Sequence, residues 1–384
     1  MTRAITLETI RNAGAAVYTV ARRTPLVKLD PLTPNGRGDA DPATRIHLKL
    51  ETLQTIGSFK IRGAVNAIRA LSPEQLAAGV WTVSAGNAAQ GVALAARDAG
   101  APCTVMVIDT APDTKLSAIE RLGARIVTAS YDECWRTVEQ HQCDRFPGHF
   151  VHPFDDDLFI SGNGTIGLEI LEQLPDVDAI VASVGGGGLL SGIATAARAL
   201  KPDIRIYAAE PETAAPLATS LANGRASSFP SWQASFVDGC GGKSIISTMW
   251  PLLRDAVDAS IVVSLDEIKL AMGRVATGAR VIAEGAGAGA VAAAWAKAAP
   301  GEESPVPLML PDPETVYQRM VDHEFALCGT PDDIKRKLES LSRCHGEGEL
   351  QWFSWLTPQG LMPWDDLQRQ LEIFAEEIMP EFRD

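Results

Sequence analysis

The sequence predicts an α/β protein with largely parallel sheets flanked by helices, and three observations point that way. Short β-branched runs at 45–51, 80–84, 103–107, 125–128, 179–184 and 204–209 alternate with longer Ala- and Leu-rich runs of helical period. Strand, helix, strand in repetition requires crossover connections, and these pair strands in parallel. A content of 46% hydrophobic and 21% charged residues, with 33 glycines and 24 prolines in 384 residues, is that of a packed two-domain chain and excludes a disordered or fibrous one.

Taken in order, residues 1–23 mix Thr, Glu, Asn and Arg among apolar positions, which predicts an amphipathic first helix and no signal peptide. The strand-like runs follow, and three of the turns after them are unusual: Gly57-Ser58-Phe59-Lys60, Ser84-Ala85-Gly86-Asn87 and Gly185-Gly186-Gly187-Gly188. In parallel sheets ligands gather at the carboxyl ends of strands, so these turns are the candidate site. The longest apolar stretch, 285–296, is Gly/Ala-rich and short of the roughly 20 residues that a membrane span needs. Beyond about Gly301 the character changes: Pro305, Pro307, Pro311 and Pro313 interrupt regular structure, and residues 304–384 form a separate, mostly helical appendage. Charge and cysteine content exclude further classes. A net charge of −14 repels nucleic-acid phosphates and anionic lipid surfaces. The six cysteines show neither C-x-x-C pairs nor Cys/His ligand spacing, so no zinc site or disulfide framework is expected, and a reducing cytoplasm fits.

Four consecutive glycines between a buried strand and a helix let several backbone N–H groups converge on an anion, with the helix dipole adding to the attraction. The pattern lacks the Gly-Lys-Ser/Thr ending of a P-loop and the spaced glycines of a dinucleotide fingerprint, so it reads as a phosphate cradle without a nucleotide. Lys60, at the opening of a helix beside Phe59 and Arg62, is a candidate for an amine that loses its proton and forms a Schiff base. A phosphate cradle and an imine-forming lysine together are what pyridoxal phosphate requires.

The matching segments are Arg23-Thr24-Pro25-Leu26, Leu48-Lys49-Leu50-Glu51 continuing to Gly57–Ala64, Ser84–Gly91, Gly164-Thr165-Ile166-Gly167-Leu168-Glu169, the tetraglycine turn and Glu284-Gly285-Ala286-Gly287-Ala288. In order and spacing these resemble the threonine/serine dehydratase family, fold type II pyridoxal-phosphate enzymes, over about residues 5–300. The resemblance implies two open, twisted, mostly parallel sheets, a large cofactor-binding domain at 1–50 and 155–303, a small substrate-loop domain at 51–154, and a homo-oligomer. It implies that Lys60 holds the cofactor through a Schiff base with Phe59 against the ring. Asn87 would meet the ring's 3-hydroxyl oxygen, although Asn is also a favoured helix cap and the two roles are compatible. Gly185, Gly186, Gly187, Gly188 and Leu189 would bind the phosphate, and Glu284 would lie near the ring. Ser84, Ala85, Gly86, Asn87 and Ala88 would receive the substrate carboxylate. The implied reaction is removal of the β-hydroxyl of a 3-hydroxy amino acid to give a 2-oxo acid and ammonia. The alternatives are an amino-acid racemase and a catalytically impaired assembly protein on the same fold. Racemase relatives place a serine at the position of Ala85, which disfavours the former; retention of Lys60, Asn87 and the glycines disfavours the latter.

Three departures follow. Ala88 stands where the family has a histidine, leaving room for a bulkier substrate such as a 3-aryl serine. Glu210 is a candidate metal ligand whose expected carboxylate partner is replaced by Pro216; capping of the following turn is its alternative role. Finally, the family's Ser-Gly-Gly-Asn strand end, which partners the pyridine nitrogen, is replaced by Pro311-Asp312-Pro313. From there the chain resembles the end of luciferase-like flavin monooxygenases through 325–333 and 371–382, which makes it chimeric. A flavin-binding barrel needs roughly 250 residues, so this tail is expected to pack or oligomerise and not to bind flavin.

Overall fold

A computed structural model describes residues 3–29 and 46–298, with Lys335 alone beyond them. The chain divides into two compact units, 1–304 and 305–384. The expected appendage, its Pro311–Asp312 turn and its luciferase-like segments lie outside the described residues.

Helix α1 (Leu7–Val17) is amphipathic, burying Ile10, Ala13 and Val17, and opens on a reciprocal cap between Thr6 and Thr9. Strand β1 (Leu26–Lys28) pairs antiparallel with β2 (His47–Lys49). The run expected over 45–51 is therefore shorter, and this pair departs from the parallel rule. It stops at Lys49, and from Glu51 a single 3-10 turn delivers the carboxylate to Arg62.

A four-stranded parallel sheet follows, in the order β5-β4-β3-β6. Its strands are β3 (Val80–Val83), β4 (Cys103–Ile108), β5 (Arg125–Ala129) and β6 (His149–Phe150). The helices around it are α2 (Lys60–Arg69), α3 (Pro73–Ala78), α4 (Asn87–Asp98), α5 (Asp113–Arg121) and α6 (Tyr131–Gln140). All four residues of β3 are buried, as a parallel strand covered on both faces requires. Helix α7 (Asp157–Gln173) leads to a second parallel sheet, β7 (Ala179–Ser183), β8 (Arg205–Pro211) and β9 (Ala259–Val263), in the order β7-β8-β9. Helices α8 (Gly188–Leu200), α9 (Pro216–Asn223), α10 (Trp250–Ala256), α11 (Leu265–Ala279) and α12 (Gly285–Ala298) connect and follow these strands. Strand β1, the two-residue β6 and the short run of β9 were not among the expected strands. Among the described residues no helix is long and apolar enough to cross a membrane.

Helices α2 and α7 approach backbone to backbone. A Cβ at Gly63 would overlap the Phe159 ring, and one at Gly162 would lie 2.5 Å from the Arg62 carbonyl oxygen. Between them Arg62 is fully buried. Its guanidinium donates Nε to Glu51 Oε2 and Nη2 to Glu51 Oε1, each at 2.8 Å, and Nη1 to Glu169 Oε1 at 2.5 Å and Thr165 at 3.1 Å. Glu169 also accepts from Lys49 Nζ at 2.6 Å and Tyr18 at 2.8 Å, while Glu51 accepts from Thr24 at 2.6 Å. The sequence segments around Thr24, Lys49, Glu51 and Thr165–Glu169 are thus parts of one buried charge network. Burial alone would raise the Glu169 carboxyl, but the bonds from Arg62, Lys49 and Tyr18 hold it below its ordinary value. Burial, then the bond to Glu169, pushes the Tyr18 phenol up to about 12.

Removing one partner of such a network strands buried charge at a cost of about 3–5 kcal/mol. Urea denaturation of Arg62→Leu is expected to show a loss of that size, and Arg62→Lys little recovery, because an ammonium cannot bridge two carboxylates as a fork. Since Glu169 titrates lower folded than unfolded, its contribution is present above its ordinary value of 4.5 and disappears as pH falls below it.

Candidate active site

Lys60 is the first residue of α2, following Phe59 in the cap position. Its Nζ donates to the Pro153 carbonyl at 2.6 Å and lies 5.4 Å from the Phe59 ring centroid and 5.5 Å from that of Phe159. Among the described residues no carboxylate pairs with it. Burial pushes its ammonium down to about 8, the behaviour required of an amine that must become a nucleophile. The shift comes from desolvation.

The glycine turn leaves β7 and enters α8, with Gly187 in the left-handed region at φ 94° as the cap residue. The first backbone N–H groups of α8, including that of Leu189, have no intrahelical acceptor, which makes its start an anion seat. Side chains are excluded here by the neighbours: a Cβ at Gly186 would overlap the Phe154 ring, and one at Gly188 would lie 2.6 Å from the Phe154 carbonyl oxygen.

In the Ser84–Ala88 loop, Ser84 Oγ accepts from the Gly86 N–H at 3.1 Å, turning the chain into α4. Gly86, and not Asn87, caps this helix. The reason lies in the Asn87 amide, which reaches across to donate to Glu284 Oε1 at 2.9 Å. Burial first, then repulsion from Asp238, raises the Glu284 carboxyl above its ordinary value. Asp238 is itself paired with Lys115. Ala85 is half-buried and Ala88 is buried.

These elements close into a ring. Lys60 touches Pro153, the adjacent Phe154 covers Gly186, and a Cβ on Gly185 would lie 3.4 Å from the Gly239 carbonyl oxygen. A Cβ on Gly239 would in turn lie 3.3 Å from Glu284 Oε1, Glu284 holds Asn87, and α4 returns through Gly91, whose Cβ would lie 3.1 Å from the Lys60 carbonyl. Along this ring stand an amine bonded to a carbonyl, a backbone N–H cradle and an amide side chain, a donor set that fits an aldehyde bearing a phosphate. Glu210 stands outside it. Its two oxygens accept from the Leu217 and Ala218 N–H groups at 2.7 Å each and from Ser260 at 2.6 Å, so the carboxylate serves the first N–H groups of α9, the capping role expected as its alternative. A separate groove of about 690 Å³, between the β1–β2 pair, β7 and α12, contains none of these residues.

The segment His152–Asp155 escaped the sequence reading. It follows β6, and the rule that directed attention to the ends of the other strands would have found it had that two-residue strand been recognised.

The model for pyridoxal-phosphate dependent enzymes matches residues 17–312. L-threonine ammonia-lyase of Thermotoga maritima is 40% identical over 291 residues, covering 75% of this chain and 71% of the relative. Serine racemase of Oryza sativa subsp. indica is 37% identical over 290 residues, covering 75% and 83% respectively. The structure of maize serine racemase superposes with a TM-score of 0.70 at 34% identity, covering 84% of this chain and 98% of the maize protein. With the amine, the cradle and the two parallel sheets arranged as described, the chain belongs to the pyridoxal-phosphate dependent enzymes of fold type II, in the threonine/serine dehydratase family, and pyridoxal phosphate is its cofactor.

Proposed function

We propose that this chain removes the β-hydroxyl of a 3-hydroxy amino acid, releasing a 2-oxo acid and ammonia. The observation that carries the reading is the Lys60 amine, held by the Pro153 carbonyl, paired with no carboxylate among the described residues, and linked to the glycine turn in a single ring of contacts. Bound pyridoxal phosphate supplies an electron sink for the substrate α-carbon. Lys60 and the glycine turn are the groups to hold it, with Asn87 at the edge of the ring. The N–H groups that open α4 bind the substrate carboxylate, favoured by the helix dipole. Lys60 Nζ, whose ammonium is already destabilised by burial, takes the α-proton. The Asn87–Glu284 bond fixes the amide's orientation and keeps a carboxyl with a raised proton affinity beside the site.

A second reading, racemisation, is favoured by the serine racemase relatives. Returning a proton to the opposite face of the α-carbon needs a second acid there, and Ala85 offers no hydroxyl. Elimination therefore fits this site better. Among substrates, threonine, serine and 3-aryl serines all fit the chemistry, and Ala88 presents the smallest side chain to the carboxylate loop after glycine.

The purified protein is expected to be yellow and to release 2-oxo acid from one or more of serine, threonine and 3-phenylserine. Lys60→Ala should abolish both the visible band and turnover; a persisting band would place the imine elsewhere. In the cofactor-free protein, acylation of Lys60 followed by peptide mass analysis should reach half its maximal rate near pH 8, against 10.5 for an ordinary lysine, because only the neutral amine reacts. Finally, Ala85→Ser should raise racemisation relative to elimination, measured by chiral analysis of the amino acid left after partial turnover.

A further inference from the structure

We propose that His152 is a positioning residue: its ring Nδ1 folds the 152–155 turn so that the Pro153 carbonyl meets Lys60 Nζ and Phe154 braces the glycine turn. Nδ1 accepts from the Asp155 N–H at 2.7 Å and from the Phe154 N–H at 3.3 Å. A nitrogen that accepts twice carries no proton, so the proton sits on Nε2, where the Val138 carbonyl accepts it at 3.0 Å. The neutral ring is thus anchored to the end of α6 on one side and to two successive backbone N–H groups on the other.

The packing around the ring favours that state. His141, in the left-handed conformation after α6, stacks on His152 with centroids 4.3 Å apart, and Phe154 and Phe150 meet it edge-on at 4.7 and 5.4 Å. Burial first, then the neighbouring His141, pushes the imidazole down to about 3, while Asp155 and the Val138 carbonyl oppose this and Lys60 adds to it. The Asp155 carboxylate is not available to charge the ring. It is occupied by Arg3 at 2.6 Å, Thr248 at 2.6 Å and His141 Nε2 at 2.9 Å.

The consequence falls on the site. The Pro153 carbonyl is the polar partner of Lys60 Nζ, and it shares one rigid peptide plane with the Phe154 N–H, which His152 Nδ1 accepts, so the ring sets the orientation of that carbonyl. The Asp155 N–H, held by the same nitrogen, fixes the next peptide of the turn. Rotation of this turn would move the carbonyl from the amine and the Phe154 ring from Gly186 in one step.

The inference rests on the reading of Lys60 as the cofactor lysine. Borohydride reduction of the wild-type holoenzyme, with the adduct located by peptide mapping, tests that reading separately. The test of His152 uses the full chain carrying His152→Asn, His152→Gln or His152→Leu. Asparagine places an acceptor where Nδ1 stands, glutamine places one nearer Nε2, and leucine has none. Pyridoxal-phosphate affinity and the pH midpoint of the visible band are read from absorbance, with circular dichroism as the folding control. Loss of the two bonds should weaken affinity about tenfold or more in the Leu and Gln variants and displace the midpoint, while Asn stays within about threefold of wild type. If leucine does not fold, the Asn–Gln comparison decides. Equal behaviour of Asn and Gln, an unmoved midpoint in a folded Leu or Gln variant, or failure of all three to fold would overturn the proposal.

Discussion

The buried Arg62 guanidinium is the constraint on which the rest depends. A charge removed from water must be fully partnered, and Arg62 finds its partners on the turn after β2 and in the middle of α7. This requirement fixes α2 against α7 and the β2 turn simultaneously. Lys60 stands two residues before Arg62 on the same helix, so the position of the amine follows from where the guanidinium is satisfied. The glycines at 63 and 162 permit the backbone approach, and the carboxylates supply the reason for it.

This division of labour explains what was legible in the sequence. The glycine turn, Lys60 and the Asn87 loop could be read because each follows a strand and because their residue types have specific chemical uses. The other matching segments contain Thr24, Lys49, Glu51 and Glu169, whose polar and charged groups turn out to hold the core. Nothing in spacing alone separates a carboxylate that meets a ligand from one that meets a buried arginine. The capping role offered to Asn87 beside its ligand role has a comparable explanation. Local propensity favours Asn there, but the amide has a partner 197 residues away, and the longer-range bond prevails.

The missed elements were short or governed by tertiary contacts. Strand β6 has two residues and no periodicity to detect, yet it launches the His152–Asp155 turn that touches both the amine and the glycine turn. Strand β2 was expected to be longer because its β-branched and aliphatic composition continues to Leu50, while the demand of Arg62 for Glu51 ends it. In both cases a partner distant in sequence set the outcome, and composition could not reveal it.

The electrostatics of the ring show why its two ionisable ends are separated. Desolvation moves the Lys60 ammonium down, and desolvation with repulsion from Asp238 moves the Glu284 carboxyl up, so each is drawn toward its neutral form. Placed in contact, an amine and a carboxyl would instead charge one another, and the lysine would be held as an ammonium. The structure avoids this by giving Glu284 to Asn87 and giving Lys60 an uncharged carbonyl. A carbonyl can orient an amine by accepting its hydrogen without supplying a full negative charge to lock the proton in place. The arrangement therefore keeps the amine directed and still able to exchange its proton, which is what the roles proposed for Lys60, nucleophile and then base, require.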